Sequence, residues 1–160
     1  MAKKFGFISL VLLFISLLTI AGCGSSQTVA AKDPSVADIV QKIKQTSDIS
    51  SMRVADAAGL KKLYGMNSDE LSDFALFTAP SNIKADEIAI FKVKNSADIQ
   101  SVKDQVTKRI DKQQKSFGGY LPDETYLIQH NIVKTKGNFV IMIISKDADK
   151  ISSAVDQVLN

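Results

Sequence analysis

Few side chains in this sequence of 160 residues could carry chemistry on their own. His130 is the only histidine, Cys23 the only cysteine, and Arg53 and Arg109 the only arginines among 20 basic residues. One histidine cannot form the helical pair that holds a catalytic zinc, and no Gly-x-Ser-x-Gly turn presents a serine nucleophile. His130, beside Asn131, reads as a loop residue. The acids Asp69-Glu70-Asp73 and Asp123-Glu124 could pair for general acid–base work, but their turn-like and helix-start settings read as solvated charge. Gly118-Gly119 follows a helix instead of opening one, so it is no phosphate cradle. No catalytic residue, metal or cofactor is expected. One polar group stands out. Gln113 falls near the middle of an apolar helical stripe, and Arg109 lies one turn earlier at its edge. A buried amide without partners costs about 1–3 kcal/mol, so Gln113 needs them. An arginine fork, unlike a lysine, suits a fixed carboxylate. Glu87 at a strand start and Tyr120 just past the helix are the candidate partners. Two readings follow: a network that fixes helix on sheet, which is favoured, or a polar pocket for an anionic or hydroxyl-bearing ligand.

The elements that position these residues follow from apolar periodicity. Asp33-Pro34 reads as a helix start, and Val36, Ile39, Val40 and Ile43 share one stripe. Ser47 to Met52 reads as a loop. Ala55 to Tyr64 reads as a second helix, with Leu60 and Leu63 inward and Gly65 as its stop. From Leu71 the period changes, and Leu71 to Ala79 and Glu87 to Lys94 read as strands. Ile88-Ala89-Ile90-Phe91 is apolar on both parities, so that strand is covered on both faces. A long helix follows to Phe117, its stripe built from Ile99, Val102, Val106, Ile110 and Phe117. Pro122-Asp123-Glu124 suggests a short helix start. Ile132 to Thr135 and Asn138 to Ile144 read as strands around a Lys136-Gly137 turn. Asp147 to Leu159 closes the chain as a helix. Ala97-Asp98 and Asp104-Gln105-Val106 echo Ala148-Asp149 and Asp156-Gln157-Val158, which suggests an internal repeat. The expected fold is α+β: a four-stranded, largely antiparallel sheet built as strand-strand-helix twice, preceded by two N-terminal helices. The two repeat helices are expected on one face and the N-terminal pair on part of the other.

The N-terminus sets an address. Lys3 and Lys4 precede an apolar run from Phe5 to Ile20, shorter and more interrupted than the roughly 20 residues a spanning helix needs. Leu18-Thr19-Ile20-Ala21-Gly22-Cys23 looks like a bacterial lipobox, the signal for cleavage before a cysteine that becomes the lipid-bearing first residue. The expected organisation is a signal peptide over 1–22, a lipid-bearing flexible tether over 23–32, and one extracytoplasmic domain over 33–160. Two acyl chains on Cys23 would hold the protein to the membrane, since one chain binds only reversibly. Loss of Lys3 and Lys4 takes the formal net charge from +3 to +1. Acids and bases alternate without a basic patch, which argues against a nucleic-acid partner and leaves little electrostatic pull on anionic lipid. Partners are therefore expected to be the membrane, through Cys23, and an envelope protein.

Leu63-Tyr64-Gly65, the run Ala85-Asp86-Glu87-Ile88-Ala89-Ile90-Phe91-Lys92-Val93, the spaced Arg109, Gln113, Phe117, Tyr120 and Pro122, and Gly137-Asn138-Phe139-Val140 together resemble an uncharacterised family of bacterial lipoproteins known only as a domain of unknown function. The resemblance spans Val36 to the C-terminus. It implies an extracytoplasmic lipoprotein and transfers no catalytic residue. The leading expectation is a non-catalytic binding or accessory module of the cell envelope. The alternatives are an envelope hydrolase or a single-domain solute-binding lipoprotein.

Overall fold

The structure, a computed structural model, describes residues 33–160. The signal-like segment, the tether and Cys23 lie outside the described residues. Helix α1 spans Val36–Thr46, β1 Arg53–Ala55, α2 Ala57–Tyr64, β2 Leu71–Thr78 and β3 Glu87–Val93. Helix α3 spans Ile99–Phe117, α4 Pro122–Gln129, β4 Ile132–Lys136, β5 Phe139–Ile144 and α5 Ala148–Leu159. Asp33–Asn160 forms one compact unit. Among the described residues no helix is long and apolar enough to cross a membrane.

The fold is α+β with a single antiparallel sheet of five strands in the order β1-β2-β3-β5-β4. The expected four-stranded sheet lacks β1. That strand has only three residues, two of them exposed, so it carries no apolar alternation, and it exists by pairing with the end of β2. It forms from Arg53 and Val54, which lie between the expected loop and the expected helix, and from Ala55, the first residue of that helix. Helix α1 begins two residues later than Asp33-Pro34 suggested, at Val36. Ser35 is its cap: the Ser35 hydroxyl accepts from the Asp38 N–H, and the Asp38 carboxylate accepts from the Ser35 N–H. This reciprocal box satisfies two N–H groups that the helix cannot pair internally.

The central strands β3 and β5 are buried along almost their whole length, and their parities serve two cores. Ala89, Phe91, Val140 and Met142 meet Leu60, Val102, Val106 and Ile128 on one face. Ile88, Ile90, Ile141 and Ile143 meet Ile39, Ile43, Ile151 and Val155 on the other. So α2, α3 and α4 cover the first face, and α1 and α5 cover the second. The two strand-helix units therefore send their helices to opposite faces, and the N-terminal helices divide as well. Apart from β1, the strand order is symmetric about β3 and β5, but a duplication related by a two-fold through the sheet would place both helices on one side. Doubly apolar strands permit either placement, which is why the face assignment misled.

The first core positions the polar residues. Helix α2 ends where Gly65 takes φ 72°, a conformation that a side chain with Cβ adopts at a cost, and the Gly65 N–H bonds the Lys61 carbonyl. This stop leaves Tyr64 as the last helical residue, pointing at the sheet. At the outside of the sheet, Lys134 of β4 reaches α5, where its ammonium donates to Ser152 Oγ and Asp156 Oδ1, each at 2.7 Å.

Candidate functional site

Glu87 opens β3 and shares the parity of Ala89 and Phe91, so its side chain enters the core beneath α3. It is 1 % exposed. A carboxylate there needs compensation for its lost hydration. Three side chains from two helices supply it. From α3, Arg109 donates through Nε to Oε1 at 3.0 Å and through Nη2 to Oε2 at 2.5 Å, a fork that lysine lacks. One turn on, Gln113 donates through Nε2 to Oε2 at 2.7 Å. From α2, Tyr64 donates its hydroxyl to Oε1 at 2.5 Å. Each carboxylate oxygen thus accepts from two donor groups. Burial, then the charge of Glu87 and its hydrogen bond, push the Tyr64 hydroxyl well above its usual pKa, so it stays a donor. Burial works against the charge of Arg109, but the Glu87 carboxylate outweighs it and raises the guanidinium's pKa.

The structure brings Glu87, Arg109 and Gln113 together and leaves Tyr120 out. Tyr120 is 88 % exposed, because the chain turns away after Phe117. The fourth member is Tyr64, which was not expected; Leu60 and Leu63, expected inward, do pack in this core, Leu63 half-buried. Leu60 and Tyr64 are four residues apart and lie on one helix face, and a buried tyrosine needs a hydrogen-bond partner. That spacing, together with Gly65, was the signal available in the sequence. The ring of Tyr64 packs edge-on against Phe91 with centroids 5.0 Å apart.

Glu124 departs from its solvated reading. It is 4 % exposed, and its carboxylate accepts from Lys84 Nζ at 2.5 Å and from the Ala85 N–H at 2.8 Å, so α4 pins the β2–β3 loop. Asp86 sits half-buried beside it. Burial, then the charge of Glu124, raise its pKa. His130 stacks on Tyr126 with ring centroids 3.8 Å apart, and its Nδ1 lies 2.8 Å from the Tyr126 carbonyl. Among the described residues no group of three or more His, Cys, Asp and Glu side chains could hold a metal ion.

Above the Glu87 group lies an open cleft of about 500 Å³. Its walls come from β1, α2, the β2–β3 loop and α3, and include Arg53, Lys62, Lys84, Arg109 and Gln113. Gln113 is 4 % exposed and its Oε1 has no hydrogen-bond donor. The amide is oriented by Glu87: a flipped Gln113 would set oxygen against carboxylate. Its acceptor end therefore stays unused.

An α+β domain with a fully paired buried carboxylate under an open, cation-walled cleft is the class that fold and site define. The chain belongs to the family described as Domain of unknown function (DUF4358), whose profile matches residues 29–145. That match takes in every residue around Glu87 and the cleft, and stops before α5. No curated protein matches the chain, and no solved structure does.

Proposed function

We propose that the protein is an extracytoplasmic lipoprotein, held at the outer face of the cell membrane through diacylated Cys23, and that residues 33–160 act there as a non-catalytic binding module. The anchor rests on the charged start, the apolar run and the small residues before Cys23. The binding role rests on one observation. Glu87 is the buried carboxylate that a hydrolase would use in this cleft, yet its oxygens already accept from Tyr64, Arg109 and Gln113. A carboxylate has about four acceptor sites, so none is left for a water or a substrate proton. What faces the cleft can hold a molecule, and its one acid outside an ion pair, Asp86, has no second free carboxylate or histidine beside it among the lining residues. The cleft volume, about 500 Å³, falls among small-molecule sites, which favours the solute-binding form of this reading.

Mass spectrometry of the membrane fraction tests the anchor: a mature chain starting at Cys23 with a diacylglyceryl adduct is expected, and an unmodified Cys23 within an intact N-terminal peptide refutes it. Equilibrium dialysis of the full chain against a small-molecule extract of the cell envelope tests the role. The expected result is a solute enriched on the protein side with its mass unchanged over time. A product that accumulates with wild type and not with Glu87→Gln would make the protein an enzyme.

A further inference from the structure

Arginine is rare in this chain: 18 of its 20 basic residues are lysines. Both arginines nevertheless line the one cleft described above. Arg109 is spent on Glu87, and Lys84 on Glu124. Arg53 and Lys62 are exposed and have no ion pair among the described residues, so two cations face the cleft against Asp86, the one lining acid outside an ion pair. The uncancelled charge is one positive.

The strand register fixes where that charge lies. Arg53 pairs with Thr78, and Thr78 pairs with Glu87, so the three residues form one row across β1, β2 and β3 on the α3 face. Two strand spacings separate the ends of the row by roughly 10 Å. The free guanidinium thus stands at one end of the cleft and Gln113, bonded to Glu87, at the other. Between and around them are the hydroxyls of Thr78, Ser81 and Ser116. Gln113 offers an acceptor without a donor, and the hydroxyls offer both.

We infer that this cleft binds a small hydroxylated carboxylic acid of the size of a six-carbon sugar acid, with its carboxylate on Arg53 and Lys62 and its hydroxyls toward Thr78 and Gln113. The inference rests on the binding reading above and names its ligand class. A guanidinium presents two parallel N–H groups to a carboxylate, which explains arginine at the one exposed position where the chain departs from lysine outside the Glu87 group. A single surplus charge matches a monoanion. A dianionic phosphate ester would bring a second charge toward Asp86.

Isothermal titration of the full chain with sodium D-glucuronate tests this. Saturable binding at one site is expected. Arg53→Ala should weaken it about 10–100-fold, the usual effect of losing a charged hydrogen-bonding pair. Arg53 is exposed and lies in a three-residue outer strand, so the variant keeps its fold, which circular dichroism checks. Lys62→Ala should weaken binding less, because a lone ammonium lacks the fork. D-Glucose carries the hydroxyls without the charge and should not saturate the site. Sn-glycerol 3-phosphate should bind more weakly than glucuronate. Tighter binding of the phosphate, or glucuronate affinity unchanged in Arg53→Ala, would overturn the assignment. Absence of glucuronate binding would also overturn it. If an envelope solute were still enriched in the dialysis, the binding reading would stand and only this ligand class would fall.

Discussion

Replacing Tyr64 by phenylalanine removes one oxygen and leaves the packing around it in place, since the edge-on contact with Phe91 involves the ring alone. The hydroxyl donates to Glu87 Oε1 at 2.5 Å in a site closed to water. A hydrogen bond to a charged group contributes about 1.5–3 kcal/mol. Oε1 keeps Arg109 Nε at 3.0 Å, so no charge is stranded, and the lower half of that range applies. Tyr64→Phe should therefore cost about 1.5–2 kcal/mol, or about 5–10 °C in Tm for a domain of this size. The pH dependence sharpens the test. The folded-state pKa of Tyr64 is raised above its ordinary value of about 10. Its contribution is then complete below about pH 10 and is lost as pH climbs toward the folded value. Phenylalanine has no such proton to lose. The stability gap between wild type and variant should be flat from pH 6 to about 9 and should narrow above about 10. Lysines titrate in both proteins and cancel in the difference. Urea melts followed by far-ultraviolet dichroism measure it. A gap below about 0.5 kcal/mol at pH 7, or one that widens in alkali, would refute the proposed role of this hydroxyl.

Gln113→Leu loses a donor to Glu87 but also removes the orphan Oε1, and the two effects oppose each other; the net change should stay within about 1 kcal/mol in urea melts. A loss above about 2 kcal/mol would mean that Oε1 has an essential partner in solution. Asp86→Asn should raise Tm at pH 7. Burial and Glu124 raise the pKa of Asp86 in the fold, so its favourable contribution is present below about pH 4 and lost as the group ionises. The advantage of asparagine should vanish in acid, and an unchanged Tm at pH 7 would contradict the cause assigned to the shift.

The α+β class was legible because the long elements declare themselves. The stripes of α1, α3 and α5 repeat at helical spacing, and β3 and β5 are apolar at every position that matters. That same double apolarity hid which helix covers which face, since a strand buried on both sides has no preferred parity to read. β1 was invisible for the opposite reason: Arg53 and Val54 face water, and only a partner strand makes them a strand. At the site, Gln113 on an apolar stripe announced a partner, and the rare Arg109 announced a carboxylate. Their meeting with Glu87 depends on contacts between residues more than 20 positions apart. Tyr64 went unseen because Leu63 offered an equally apolar neighbour, and only the phase of a short helix separates the two. Glu124 looked like a helix-start charge and is one, but the β2–β3 loop folds over it.

The outer strands of the sheet bear on how copies of this domain behave beside one another. An open strand flank carries unpaired N–H and C=O groups and invites a neighbouring chain to add to the sheet. Here one flank is β1, three residues long. The other is β4, which carries Lys134 and Lys136, their ammonium groups drawn back to Ser152, Asp156 and Asn160 of the closing segment. A second copy approaching β1 finds too short a template to hold, and one approaching β4 would strip two lysines of their partners and water. Crowded together, such domains resist polymerising into continuous sheets, and each keeps its own cleft open.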